Sequence, residues 1–158
     1  MAADQNRRQV TQQAKTLARP RDEDTPRTSL DGRELAQLAL DAALEKKALE
    51  PVLLDVDELC SYTEYILVVS GRSDRQVDAI ADAVSARLKQ TGRRRALGVE
   101  GVRSGQWALL DFGELVVHVF HHPARLRYDL ESLWVDAPRV ELDIPEDARA
   151  DVEDGYSS

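Results

Sequence analysis

Apolar side chains fill both sides of Gly113-Glu114, interrupted only by Asp111 and His118, in the run WALLDFGELVVHVF from Trp107 to Phe120. The pattern predicts two strands joined by a two-residue turn. Glycine at the first central position suits the mirror-type turns whose twist matches that of the flanking strands. With that turn, Phe112 faces Leu115 and the pairs step outward. One face then carries Ala108, Leu110, Phe112, Leu115, Val117 and Val119, all apolar and expected to be buried. The other carries Trp107, Leu109, Asp111, Val116, His118 and Phe120, which mixes aromatics with an acid and a histidine. A slip of one residue would exchange the two sets.

The rest of the chain is read in the same way. Asp31, with Glu34 three residues on, resembles a capping box. Leu35, Leu38, Ala39, Ala42 and Ala43 then repeat at helical spacing, which predicts a helix to about Ala48, before Pro51. Val52 to Val56 is a short apolar strand, and Leu59 to Thr63 a loop. Tyr65 to Ser70 (YILVVS) is an unbroken apolar run, as expected of a central strand covered on both faces. Ser73 with Gln76 opens a second helix through a capping box. Val77, Ile80, Ala81, Val84 and Leu88 form its apolar stripe, and Gly92 is expected to end it in the left-handed conformation. Ala96 to Val99 reads as a short strand. His121-His122-Pro123 closes the hairpin's second strand. Ala124 to Trp134 reads as a helix with Leu126, Leu130 and Leu133 on one face. The order α-β-β-α-β-β-β-α predicts a mixed sheet with helices packed on its apolar face.

Composition sets the boundaries. Residues 1–28 are polar and interrupted by Pro20 and Pro26, too poor in apolar groups to offset the entropy of ordering, so they read as a disordered tail. From 138 to 158 the chain is acidic, with Pro138 and Pro145, and reads as a second disordered tail. The domain between them spans 29–137. The 158 residues carry a formal net charge of −8, which disfavours a direct binder of phosphate backbones. A lone cysteine, Cys60, excludes an internal disulfide and fits a reducing compartment. No apolar run is long enough to span a bilayer, and the acidic Asp22-Glu23-Asp24 argues against a transit peptide. These features place the chain in the cytoplasm, with no membrane partner.

Candidate chemistry is sparse. His118, His121 and His122 invite a metal, but strand alternation splits them between faces and no cysteine completes a set, so His118 is expected as a hydrogen-bonded, partly buried residue with His121 and His122 solvated. Asp55, Glu64 and Asp111 lack the close paired spacing of a metal-dependent nucleotidyltransferase. Nothing pairs Cys60 with a base. Gly71-Arg72-Ser73 is an ordinary strand-to-helix turn. Arg93-Arg94-Arg95 is a basic cluster at a helix exit, where cations complement the dipole. What remains is an interaction surface, with Trp107 and Phe120 flanking Asp111 and His118 on one sheet face.

Over about residues 32–137 the sequence resembles the ribosomal silencing factor, or iojap-like, family. The residues that carry the resemblance are Glu64 to Val77 (EYILVVSGRSDRQV), Glu100-Gly101, Trp107 to Phe120, and Arg125 to Trp134 (RLRYDLESLW). Glu64 stands where the family usually has Asp. The resemblance implies a small α/β fold, a mixed sheet related to nucleotidyltransferases but without their catalytic acids. It implies a protein that is not an enzyme and needs no cofactor or metal. The partner it implies is the large ribosomal subunit, chiefly ribosomal protein fourteen, on the face that meets the small subunit. Occupying that face blocks subunit joining and represses translation under nutrient limitation. The protein-binding residues implied are Trp107, Asp111, Phe112 and Gly113, with Phe112 reaching over the hairpin's tip, and the free protein is expected to be a homodimer with little direct nucleic-acid binding. The rivals are a metal-dependent nucleotidyltransferase-like enzyme using Asp111 and His118, and an RNA-binding assembly factor using Arg93 to Arg95.

Overall fold

The computed structural model describes residues 30–101 and 106–149. Its elements are helix α1 (Gly32–Glu45), strands β1 (Leu49–Asp55) and β2 (Tyr65–Gly71), helix α2 (Asp74–Gln90), strands β3 (Gly98–Glu100), β4 (Trp107–Asp111) and β5 (Leu115–His121), the short helix α3 (His122–Tyr128), a 3-10 turn at Leu130–Trp134, strand β6 (Arg139–Val140) and a 3-10 turn at Glu146–Ala148. The strands form one six-stranded sheet in the order β3-β4-β5-β2-β1-β6. Neighbours are antiparallel except β2 and β5, which run parallel from Tyr65↔Leu115 to Gly71↔His121. The fold is a mixed α/β sheet, as the element order implies.

The hairpin has the register its alternation predicts. Asp111 pairs with Val116 and Trp107 with Phe120, and the Phe112 amide donates to the Leu115 carbonyl at 2.8 Å. Gly113 has φ +91°, in the region glycine enters without steric cost. The apolar face enters the main core. Helices α1 and α2 cover it, bringing Leu35, Ala39, Ala43, Val77, Ile80, Val84 and Leu88 onto Leu67, Val69, Leu110, Phe112, Val117 and Val119. The β2 side chains of opposite parity, Ile66 and Val68, join Leu54, Val56, Phe120, Ala124 and Leu130 in a second core beneath α3. β2 is therefore covered on both faces.

Caps explain where the helices begin. Asp31 accepts from the Glu34 amide at 2.9 Å and Glu34 accepts from the Asp31 amide at 3.3 Å, a complete capping box. Ser73 caps α2 through the Gln76 amide, but the Gln76 side chain accepts from Arg72 instead of Ser73, so the expected box is not closed. Its amide group donates to the carbonyls of Lys46 and Lys47, tying α2 to the end of α1. α1 ends at Glu45, short of Ala48, because Lys47 turns into positive φ (+64°).

Four expectations are corrected. Gly92 is not left-handed; Arg93 takes that conformation, with φ +54°. Gly92 serves close approach instead, since a Cβ there would lie 3.0 Å from the Leu88 carbonyl oxygen and 3.2 Å from Leu35. The helix expected from Ala124 to Trp134 starts at His122 and breaks at Asp129, where φ is +50°, and the chain continues as a 3-10 turn. Asp tolerates that conformation better than most residues. Leu130 is consequently buried while Leu126 is 69% exposed, so the three leucines do not share a face. β1 begins at Leu49, ahead of Val52, because a bulge between Leu49 and Val52 accommodates Pro51 within the strand. Finally, 138–149 is ordered structure. β6 pairs with β1 through Leu53↔Val140 and Leu54↔Arg139, and Val140, Leu142 and Ile144 pack on the main core while Glu141 and Asp143 point outward. That alternation is present in the sequence, but the acidic residues between the apolar ones conceal it. Residues 1–28 and 150–158, expected as tails, lie outside the described residues.

Candidate functional site: the aromatic face of the hairpin

The mixed face of the hairpin is built on cross-strand neighbours. Trp107 and Phe120 are direct partners and stack at 5.8 Å between ring centroids, 7° from parallel. His118 stacks on Trp107 at 5.9 Å and on Phe120 at 6.0 Å. Tyr128, delivered by α3, tilts against both Trp107 and Phe120. The Trp107 indole Nε1–H donates to His118 Nδ1 at 3.0 Å. His118 is therefore a neutral imidazole with its proton on Nε2. It is 2% exposed, and burial lowers its pKa to about 3. Trp107 is half-buried and presents the outer surface of this stack.

Asp111 sits at the turn end of the same face. Its Oδ1 accepts from the Gly113 amide at 2.8 Å, which stiffens the turn. The residue is 0% exposed, and its Oδ2 has no hydrogen-bond partner among the described residues. Burial pushes its carboxyl pKa above the ordinary value, against the opposing pull of the Gly113 amide. Tyr62, from the loop between β1 and β2, packs on Leu109 and Val116 beside it. Desolvation raises the Tyr62 phenol, and the electrostatic influence of Cys60 and Asp111 adds to the effect.

The turn is tied to α2. Arg94 pairs with Glu114 at 2.6 Å and donates to the Phe112 carbonyl at 3.3 Å. The middle arginine of the basic cluster therefore braces the hairpin, while Arg93 and Arg95 are exposed. On the other side, Arg125 of α3 is buried and donates to the Glu50 carbonyl at 2.6 Å, to Ser70 at 3.0 Å and to Glu131 at 2.8 Å. The bulge of β1 turns that carbonyl away from the ladder, and Arg125 takes it up.

Of the residues expected to meet a partner, Trp107 and Gly113 reach the surface. Asp111 is covered, and Phe112, 1% exposed, is in the main core, so it does not reach over the tip. The histidines have separate duties. His122 is buried on Ser70 at 2.9 Å, not solvated as expected, and the half-buried His121 bonds to the Arg72 carbonyl. Among the described residues no three His, Cys, Asp or Glu side chains are placed to share a metal. Asp55 and Glu64 line a cavity of about 450 Å³ with Asp57, Glu58 and Asp136, and Asp111 is not among its lining residues. The Cys60 thiol donates to the Thr63 carbonyl at 3.2 Å. Sequence reasoning missed Tyr62, Tyr128 and Arg125. A lone tyrosine in a polar loop carries no periodic signal, and the break at Asp129 decides where Tyr128 points.

Residues 29–157 match the family described as "Ribosomal silencing factor during starvation". The chain belongs to this ribosomal silencing factor family. It is 38% identical over 117 residues to the ribosomal silencing factor RsfS of Halalkalibacterium halodurans, spanning 72% of this chain and 97% of that one. Against the factor of the same name from Bacillus subtilis the identity is 35% over 114 residues, covering 72% and 96% of the two chains. A crystal structure of a Chromobacterium violaceum protein superposes with a TM-score of 0.65 at 34% identity, over 73% of this chain and 95% of that one. Membership of this family makes the chain a translation regulator associated with the ribosome, and its fold is the family's. Among the described residues no helix is long and apolar enough to cross a membrane.

Proposed function

We propose that this chain binds the large ribosomal subunit through ribosomal protein fourteen, covers the face that receives the small subunit, and so represses translation when nutrients are scarce. The observation that carries the reading is the half-exposed Trp107 held on a stack of His118, Phe120 and Tyr128 at the open end of the hairpin, opposite the tip at Gly113. A large aromatic fixed before binding gives contact area at little cost in side-chain entropy. A steric block asks for no reaction, and His118 and Asp111, the two groups an enzyme would need, are both buried. The net charge of −8 favours encounter with a basic ribosomal protein over bare RNA. The protein acts in the cytoplasm as a non-enzymatic factor, and it is a homodimer when off the ribosome.

The test is co-sedimentation with purified large subunits, followed by addition of small subunits on a sucrose gradient. Wild type binds and reduces subunit joining. Trp107→Ala, shown by circular dichroism to remain folded, binds at least about tenfold more weakly, as expected for a hot-spot residue costing about 1.4 kcal/mol. A folded wild type that does not sediment with large subunits overturns the reading. Undiminished binding by Trp107→Ala moves the contact away from the hairpin.

A further inference from the structure

Asp111 is a buried acid whose second oxygen has no partner among the described residues. Burying such an acceptor unpaired is costly, and native structures keep few of them. Gly113 uses only Oδ1. What lies over this part of the face is Tyr62, packed on Leu109 and Val116. Leu109 precedes Asp111 by two residues on the same face of β4, and Val116 is its cross-strand partner. Tyr62 thus packs, beside Trp107, on the small cluster formed by the two residues that flank the acid. It comes from the segment between β1 and β2, outside any helix or strand, whereas Asp111 is locked into the sheet. Of the two, Tyr62 is the one that can move without breaking a strand pairing.

We propose that Tyr62 is a displaceable cover over Asp111, and that a partner carrying a cationic side chain moves it aside and donates to Oδ2. The inference rests on the docking surface argued above and deepens it. In the free protein the hairpin shows Trp107 and Tyr62, a neutral aromatic pair. In the bound protein it shows Trp107 and a carboxylate. The charge of Asp111 already reaches Tyr62, since it contributes to raising the phenol. A strong acceptor that appears only on contact rewards a correctly placed donor and gives a non-cognate cation nothing to hold in the free state. Moving the cover takes free energy that the new charge-assisted hydrogen bond returns.

Two measurements test this, one of them without the ribosome. The Asp111 carboxyl is titrated by carbon-detected magnetic resonance in wild type and in Tyr62→Ala. Removal of the cover is expected to bring its pKa down toward the ordinary carboxylate value, and an unchanged titration overturns the proposal. Tyr62→Thr, which keeps a branched stem over Val116, replaces the alanine variant if the latter unfolds. Large-subunit binding is then compared. Tyr62→Ala is expected to bind at least threefold more tightly than wild type, and adding Asp111→Asn should abolish that gain. Binding by Tyr62→Ala that is equal to or weaker than wild type overturns the cover and makes Tyr62 inert or a contact. A wild type that fails to bind at all removes the ribosomal reading, and the titration alone then decides whether Tyr62 covers Asp111.

Discussion

His118 shows how a titratable side chain can serve structure instead of chemistry. Its Nδ1 accepts from the Trp107 indole and its ring packs against both Trp107 and Phe120, so a proton added there would be buried and would break that hydrogen bond. The folded-state pKa, about 3, lies below the ordinary value of 6.5. The unfolded chain therefore binds a proton that the folded chain refuses. The stabilisation is complete above about pH 6.5 and is lost as the pH falls toward 3, at most on the order of 5 kcal/mol. Burial lowers His122 as well, which steepens the same slope. Equilibrium denaturation between pH 7 and pH 4 should show stability falling with acid, and His118→Gln should flatten that fall. Asp111 works in the opposite sense. Its raised pKa makes the carboxylate a liability at neutral pH that protonation relieves, so its contribution opposes that of His118 at the acid end.

Among the elements, the hairpin was the most legible, because its alternation is regular on both arms and Gly113 permits one register. At Gly113 a Cβ would meet only ordinary van der Waals contact, its nearest neighbour being Leu97 at 3.6 Å, so the demand for glycine there is conformational. Gly113→Ala should cost about 1 kcal/mol, and Gly113→Asn less, because asparagine tolerates positive φ. Urea denaturation measures both, and a loss of several kcal/mol would mean that the turn carries more than backbone strain. Depth was not legible. Alternation assigns a side chain to a face, but how far that face is covered depends on α3 and on the loop that carries Tyr62. For this reason Asp111 lies on the predicted face but is covered, and Phe112 lies on the predicted face but deep under α1 and α2. Helix ends failed for a local reason, since Asp129 and Arg93 adopt positive φ without being glycine.

At the scale of the whole molecule, the described domain extends past the acidic boundary that composition suggested. β6 and the segment after it close the outer edge of β1. They also bring Val140, Leu142, Ile144 and Ala148 onto the body of the protein. A chain ending at residue 137 should lose roughly 3 kcal/mol, from partial burial of four apolar side chains and an uncovered strand edge. Against a total stability of about 5–15 kcal/mol that loss is large, and a thermal melt would show it. An unchanged melting temperature would mean that this segment only rests on the domain. Composition misleads here because charge and burial alternate residue by residue, and an average over the segment reports only the charge.

The parallel pairing of β2 with β5 also bears on the order in which the molecule assembles. β5 meets β4 across a turn of a few residues, but its other neighbour, β2, starts 50 positions earlier, from 65 to 115. The hairpin is a local event, and closing it onto β2 means gathering a long stretch that includes all of α2. During synthesis β2 and α2 emerge from the ribosome ahead of β5, so the centre of the sheet must wait. Until β5 has emerged, the apolar run of β2 has no lasting partner on that side. The aromatic face of the hairpin is thus completed only once β5 has followed β2 and α2 out of the ribosome.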